Sequence, residues 1–186
     1  MEETPPDRDP FRLRDDPGWD PRRTGDRPDG LVGIRMAFLA LCAALVAVAV
    51  AVGLLTGSVA DRDPRVGTAT AAVAVVVAGL VGLGLLRFLP VRLDCADELA
   101  LARSWRSRYF ARAAASMLPA LAGFAAFAAT GVPALYPLGL VFTATGLAIA
   151  GPFHATLVRD QERLALDGCA ISLVPALRRP ITEDTR

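Results

Sequence analysis

Charged side chains cluster in a few segments of this chain, and between them the sequence is apolar without interruption. No Asp, Glu or Arg falls between Met36 and Ala60 or between Val66 and Leu86, and the stretch from Ala113 to Val158 lacks them as well. A membrane-crossing helix needs about 20 predominantly apolar residues. The first two runs therefore each predict one span, and the third, about twice that length, predicts two spans joined by a reversal. Thr130 to Gly139 supplies that reversal, because Gly131, Pro133 and Pro137 oppose a continuing helix and Tyr136 suits a membrane interface. The expected spans are about 34–57, 66–88, 111–130 and 134–156, within a transmembrane domain of about 34–158.

Orientation follows from arginine in the short flanks, since basic residues are retained on the cytoplasmic side while acidic residues contribute little. Every one of the 20 basic residues is Arg. The loop 89–110 and its edges carry Arg87, Arg92, Arg103, Arg106, Arg108 and Arg112, whereas the connection between spans one and two has only Arg62 and Arg65 and the reversal has none. Both tails are rich in Arg. The expected topology is a multi-pass protein of the bacterial plasma membrane with both termini in the cytoplasm. A cleaved signal ending at Ser58-Val59-Ala60 is the competing reading of span one; the apolar run exceeds the roughly 7 to 15 residues of a signal core, and a long charged tail precedes it.

Outside the spans, residues 1–30 hold six prolines, six arginines and nine acids with few aliphatic side chains, so residues 1–33 are expected to form a disordered cytoplasmic tail. In the cytoplasmic loop, Asp94 reads as an N-cap with Asp97 and Glu98 in the first turn of a helix that runs on into span three. Leu101, Trp105 and Tyr109 recur every four residues and share one face of that helix. Trp and Tyr favour the headgroup level, and each Arg near an anionic leaflet contributes on the order of 1 kcal/mol. An interfacial cytoplasmic helix is therefore predicted, with Arg92, Arg103, Trp105, Arg106, Arg108, Tyr109 and Arg112 as the expected contacts to anionic lipid headgroups. Residues 159–186 are expected to form an amphipathic cytoplasmic tail in which Asp167-Gly168 stops a helix and Cys169 to Leu177 is too short to cross.

Composition adds exclusions. The chain of 186 residues has 53% hydrophobic residues and a net charge of only +1, which gives no field for capturing nucleic acid. Cys42, Cys95 and Cys169 are widely separated with no CxxC spacing, so they read as free thiols and not as metal ligands. His154, the one histidine, falls at the cytoplasmic end of span four. No ionisable residue lies inside the four cores, the position where a proton relay or ion site is sought. No nucleophile–base pair, HExxH or phosphate loop occurs either, and Gly79, Gly82 and Gly84 sit in an apolar helix instead of after a strand. No catalytic residue, cofactor or metal is expected.

Small residues do line the predicted spans: Ala43, Ala47, Ala51, Gly53 and Gly57 in the first, Ala74, Ala78 and Gly82 in the second, Ala122, Ala126 and Thr130 in the third. Such faces allow close helix packing, within the chain or against a second copy or another membrane protein. The hairpin of spans two and three, with its Arg-rich loop, resembles the rotor-ring subunit of rotary ATP synthases, but it lacks the mid-membrane carboxylate on which that family's proton-driven rotation depends. Over roughly the last hundred residues, Arg103-Ser-Trp-Arg-Ser-Arg-Tyr-Phe110, Arg159-Asp-Gln-Glu-Arg-Leu164 and Gly168-Cys-Ala-Ile-Ser-Leu-Val174 resemble a group of small four-span actinobacterial membrane proteins, some of which carry the name transporter permease. That resemblance implies a fold and no site residues. The sequence thus predicts an all-α integral membrane four-helix bundle, acting as a non-catalytic accessory or assembly subunit. The alternative is a small transporter or channel component with a path lined by Ser116, Thr143, Thr145 and the backbone near Pro119.

Overall fold

The computed structural model describes residues 16–19, 29–59, 67–88 and 93–179, and every regular element among them is helical. The helices are α1 (Gly30–Val59), α2 (Thr68–Phe88), α3 (Glu98–Thr130), α4 (Leu135–Ala150), α5 (His154–Leu166) and α6 (Leu173–Arg178). Three of them, α1, α2 and α3, are long and apolar enough to cross a membrane, and a fourth crossing results if α4 and α5 count as one bent span. Most of the expected tail 1–33, together with Arg92 and the final residues 180–186, lies outside the described residues.

Each boundary has a local cause. Asp29 caps α1, its Oδ1 accepting the N–H groups of Leu31 and Val32. In α3 the cap is Asp97 and not Asp94, because Asp97 Oδ1 accepts from Ala100, three residues on, whereas Asp94 closes a tighter turn onto Ala96. The expected interfacial segment and span three are one uninterrupted helix of 33 residues. At the reversal, Gly131 takes a positive φ of 73°, and Thr130 Oγ1 accepts from Val132 N–H to close the turn.

Span four departs from expectation. In place of one helix over about 134–156, α4 ends at Ala150 and α5 starts at His154, with a 51° bend between them. Pro152 has no N–H to continue the ladder and drives its predecessor out of the helical region; Gly151 is accordingly extended at φ −61°, ψ 154°. His154 therefore opens α5 instead of closing span four.

The described residues divide into two compact units. One comprises 16–19, 29–36, 93–105 and 152–179; the other comprises 37–59, 67–88 and 106–151. In the second unit the helices approach so closely that several glycines admit no side chain. A Cβ on Gly139 would collide with the carbonyl oxygen of Pro119, one on Gly123 would lie 2.7 Å from the Leu135 carbonyl, and one on Gly79 would strike the Phe142 ring. Val52, Ala120, Phe127 and Tyr136 form one buried cluster; Ala71, Val75, Ala126 and Leu135 form a second. Tyr136, expected at an interface, is buried and donates its hydroxyl to the Leu45 carbonyl. Outward, α1 presents Leu39, Val46, Val50 and Leu54, the last 81% exposed, a surface suited to hydrocarbon and costly in water.

Candidate functional site: the polar unit

The chemistry-bearing side chains gather in the first unit, which is held by ties between segments far apart in sequence. Its core is aliphatic: Leu31, Ile34, Leu101, Leu157, Leu164, Leu173 and Leu177 are all buried. Around that core, polar groups pair segment with segment.

The deepest of them is Arg35, 1% exposed. A guanidinium removed from water is tolerated only when its donors are satisfied and its charge is balanced. Here four of the five N–H groups are engaged: Nε donates to the Pro152 carbonyl, Nη1 to Asp16 Oδ1 and the Gly18 carbonyl, and Nη2 to Asp16 Oδ2 at 2.9 Å. The Asp16 contact is thus bidentate, the strongest form of this pair. The Trp19 ring stacks over the guanidinium at 5.3 Å and meets Phe153 at 5.8 Å. The Arg35 hydrogen bonds hold the Asp16 carboxyl down at about 2, well below the ordinary 3.8, against the opposing effect of its burial. Residues 16–19 of the expected disordered tail are therefore anchored on α1 and on the break before α5. His154 Nδ1 lies 3.3 Å from Asp16 Oδ2 on the exposed side of this cluster.

A second set of ties fixes the C-terminal elements. Asp29, besides capping α1, accepts from Arg178 Nε at 2.8 Å. Glu98, at the start of α3, pairs with Arg179. Gln161 on α5 holds the entry to α6 from both ends of its amide, accepting from Leu173 N–H at 2.7 Å and donating to the Ile171 carbonyl. Trp105 donates its indole N–H to Asp160 at 3.0 Å, and both side chains are buried.

Cys95 and Cys169 correct the expectation of free thiols, for they form a disulfide with a Cα–Cα distance of 5.9 Å. Sequence spacing cannot disclose a pairing across 74 positions. Cys42 is a free thiol.

The expected headgroup contacts occupy different environments. Arg103 is exposed; Trp105, Arg106, Arg108 and Tyr109 are buried within the folded chain; Arg112 is partly buried and donates to the Leu86 carbonyl in the last turn of α2, where a cation complements the helix dipole. Arg92 lies outside the described residues. The fourfold repeat of Leu101, Trp105 and Tyr109 does mark one face of α3, and that face is packed.

The hydroxyls of the expected solute path also have local occupations. Ser116 donates back to the Arg112 carbonyl and Thr145 to that of Val141, while Thr143 accepts the Ala120 N–H across the α3–α4 contact. Among the described residues no group of three or more His, Cys, Asp or Glu side chains is placed to hold a metal ion. Sequence reasoning passed over Asp16, Asp29, Arg35 and Gln161; Gly151-Pro152, a known helix-breaking pair, carried a signal for the break that Arg35 binds. Comparisons with protein-family models, curated proteins and solved structures found no match.

Proposed function

We propose that this chain is a multi-pass protein of the bacterial plasma membrane, crossing it four times as a helical bundle whose fourth span, about 134–156, is α4 with the start of α5, the rest of α5 lying in the cytoplasm. Both termini lie in the cytoplasm, and the protein serves as a non-catalytic accessory or assembly subunit. The observation that supports this reading best is the use made of its buried polar groups. Arg35, Asp16, Asp29, Gln161 and the Trp105–Asp160 pair join chain segments to each other, and such a rigid platform suits docking better than turnover. The exposed Arg103 meets anionic headgroups in this reading, at about 1 kcal/mol for a basic residue near the surface. Cross-linking in native membranes, purification through a C-terminal tag and mass spectrometry test it: a stoichiometric membrane-protein partner is the expected result, and recovery of the chain without one sinks the accessory role.

The transporter or channel reading has one observation in its favour. Pro119 lies inside α3 and has no N–H, so the Ala115 carbonyl lacks its helical donor within an apolar stretch. Such a path requires several copies, since Ser116 and Thr143 are buried in the single chain. Solute flux in proteoliposomes would favour this reading over the first.

A further inference from the structure

Two half-sites built independently of sulfur chemistry bring Cys95 and Cys169 together. At the end of α5, Gly168 takes φ 80°, its N–H donates to the Ala165 carbonyl, and the Cys169 N–H reaches back to the Leu164 carbonyl. This is a Schellman stop, which fixes the Cys169 backbone whatever its side chain does. At the start of α3, Cys95 lies inside the turn in which Asp94 Oδ1 accepts from Ala96, while the Asp94 N–H donates to Ser104 Oγ. Both cysteines are partly exposed residues.

Structural disulfides belong to oxidising compartments, and in the reducing cytosol a disulfide is as a rule transient, catalytic or redox-sensing. The arginine distribution assigns this unit to the cytoplasm. We infer that Cys95 and Cys169 form a thiol–disulfide exchange site, oxidised and reduced by cytoplasmic dithiol–disulfide partners, an inference that rests on the cytoplasmic placement proposed above. In the reductive direction, a thiolate of the partner dithiol attacks one sulfur, forms a mixed disulfide and releases the other cysteine as a thiolate, which takes up a proton. The partner's second thiol then attacks the mixed disulfide. The products are two cysteine thiols and the partner's disulfide, with two electrons and two protons transferred to this chain. Oxidation runs the same steps backwards. In the oxidised form the bond ties the turn before α3 to the segment leading into α6; in the reduced form the contacts of Gln161, Asp29 and Glu98 with that segment and α6 remain.

The test uses the full chain in bacterial cells, with Cys42→Ser removing the third thiol. Cells are quenched in acid before and after brief diamide treatment and again after its removal, and free thiols are counted by gel shift with a polyethylene-glycol maleimide. A second arm applies an impermeant maleimide, after reduction, to intact cells and to opened membranes. The expected result is a mainly reduced pair that becomes at least fivefold more oxidised with diamide, recovers on its removal, loses the response in Cys95→Ser, and is labelled by the impermeant reagent only in opened membranes. A pair fully oxidised under every condition, with labelling only in opened membranes, overturns the exchange site and leaves the orientation standing. A pair never oxidised overturns it equally. Labelling in intact cells overturns the orientation and, with it, the inference.

Discussion

Replacing Asp16 with Ala removes the only carboxylate among the described residues that touches the Arg35 guanidinium and leaves a cation 1% exposed with two backbone carbonyls as acceptors. Two routes give the size of the effect. The fall of the Asp16 pKa from 3.8 to about 2 corresponds to about 2 kcal/mol favouring the ionised, paired state. Removing one partner of a fully buried ion pair costs about 3 to 5 kcal/mol, but Asp16 itself is 12% exposed and water can partly replace it, which favours the lower end. A loss of about 2 to 3 kcal/mol raises the opening equilibrium of segment 16–19 roughly 30- to 150-fold. Trp19 reports that opening, because it leaves Arg35 and Phe153, while the buried Trp105 supplies a constant background in acrylamide quenching of the full chain in micelles. Asp16→Asn, which keeps the shape and an acceptor but not the charge, should fall between wild type and Asp16→Ala. In the double mutant with Arg35→Met, the loss should be well short of the sum of the two single losses. Quenching in Asp16→Ala equal to wild type, or strict additivity in the cycle, refutes the reasoning.

The same pair sets an acid limit. Because the folded pKa of Asp16 lies below its unfolded value, the contribution is complete above about pH 4 and is lost as pH falls towards 2, so Trp19 quenching should rise across that window in wild type and stay flat in Asp16→Asn. Glycine substitutions should separate by packing: Gly139→Ala drives a methyl into the Pro119 carbonyl and should cost about 2 kcal/mol or more, whereas Gly53→Ala meets nothing within 4 Å and should be neutral or slightly stabilising in thermal unfolding in detergent. Trp105→Phe removes the donor to a buried carboxylate and should cost about 1 to 3 kcal/mol, with Asp160→Asn restoring part of the loss; no loss in Trp105→Phe argues that Asp160 is satisfied without the indole.

How legible the fold was depends on whether the signal was local. Charge-free length marked α1 and α2 within a few residues because hydrocarbon thickness imposes it, and the Gly131 and Pro133 turn was found because each residue there limits its own backbone. Gly151-Pro152 carried the same kind of signal but lay inside a longer charge-free run, so hydropathy masked a break set by backbone sterics. The site was far less legible. The partners of Arg35 come from positions 16, 18 and 152, and those of Asp29 and Cys95 from 178 and 169. No period or motif joins such positions, since their contact is a consequence of the tertiary fold. A weaker hint was available in Arg35 itself, a lone charge one residue before an apolar run, which demands a partner.

The burial of Arg106 and Arg108 bears on how topology can be read from arginine at all. The positive-inside bias acts while the chain inserts, when the segment between spans two and three is still an exposed loop and every Arg in it resists translocation. Burial follows once α3 packs, so a side chain can first orient the chain and later be withdrawn from the headgroups. The orientation argument therefore keeps all six arginines, Arg87 to Arg112, whereas the lipid-contact argument keeps, of its expected arginines among the described residues, the exposed Arg103. The two are separable by charge reversal. Arg103→Glu should weaken binding to anionic vesicles while leaving the folded helix intact, and the effect should shrink as salt is raised, because a single exposed charge is screened over about 10 Å at 0.1 M. Arg106→Glu and Arg108→Glu should instead destabilise the chain at any ionic strength, since each places a carboxylate where a buried cation stood. A salt-sensitive loss from the buried pair, or none from Arg103, would reverse the assignment.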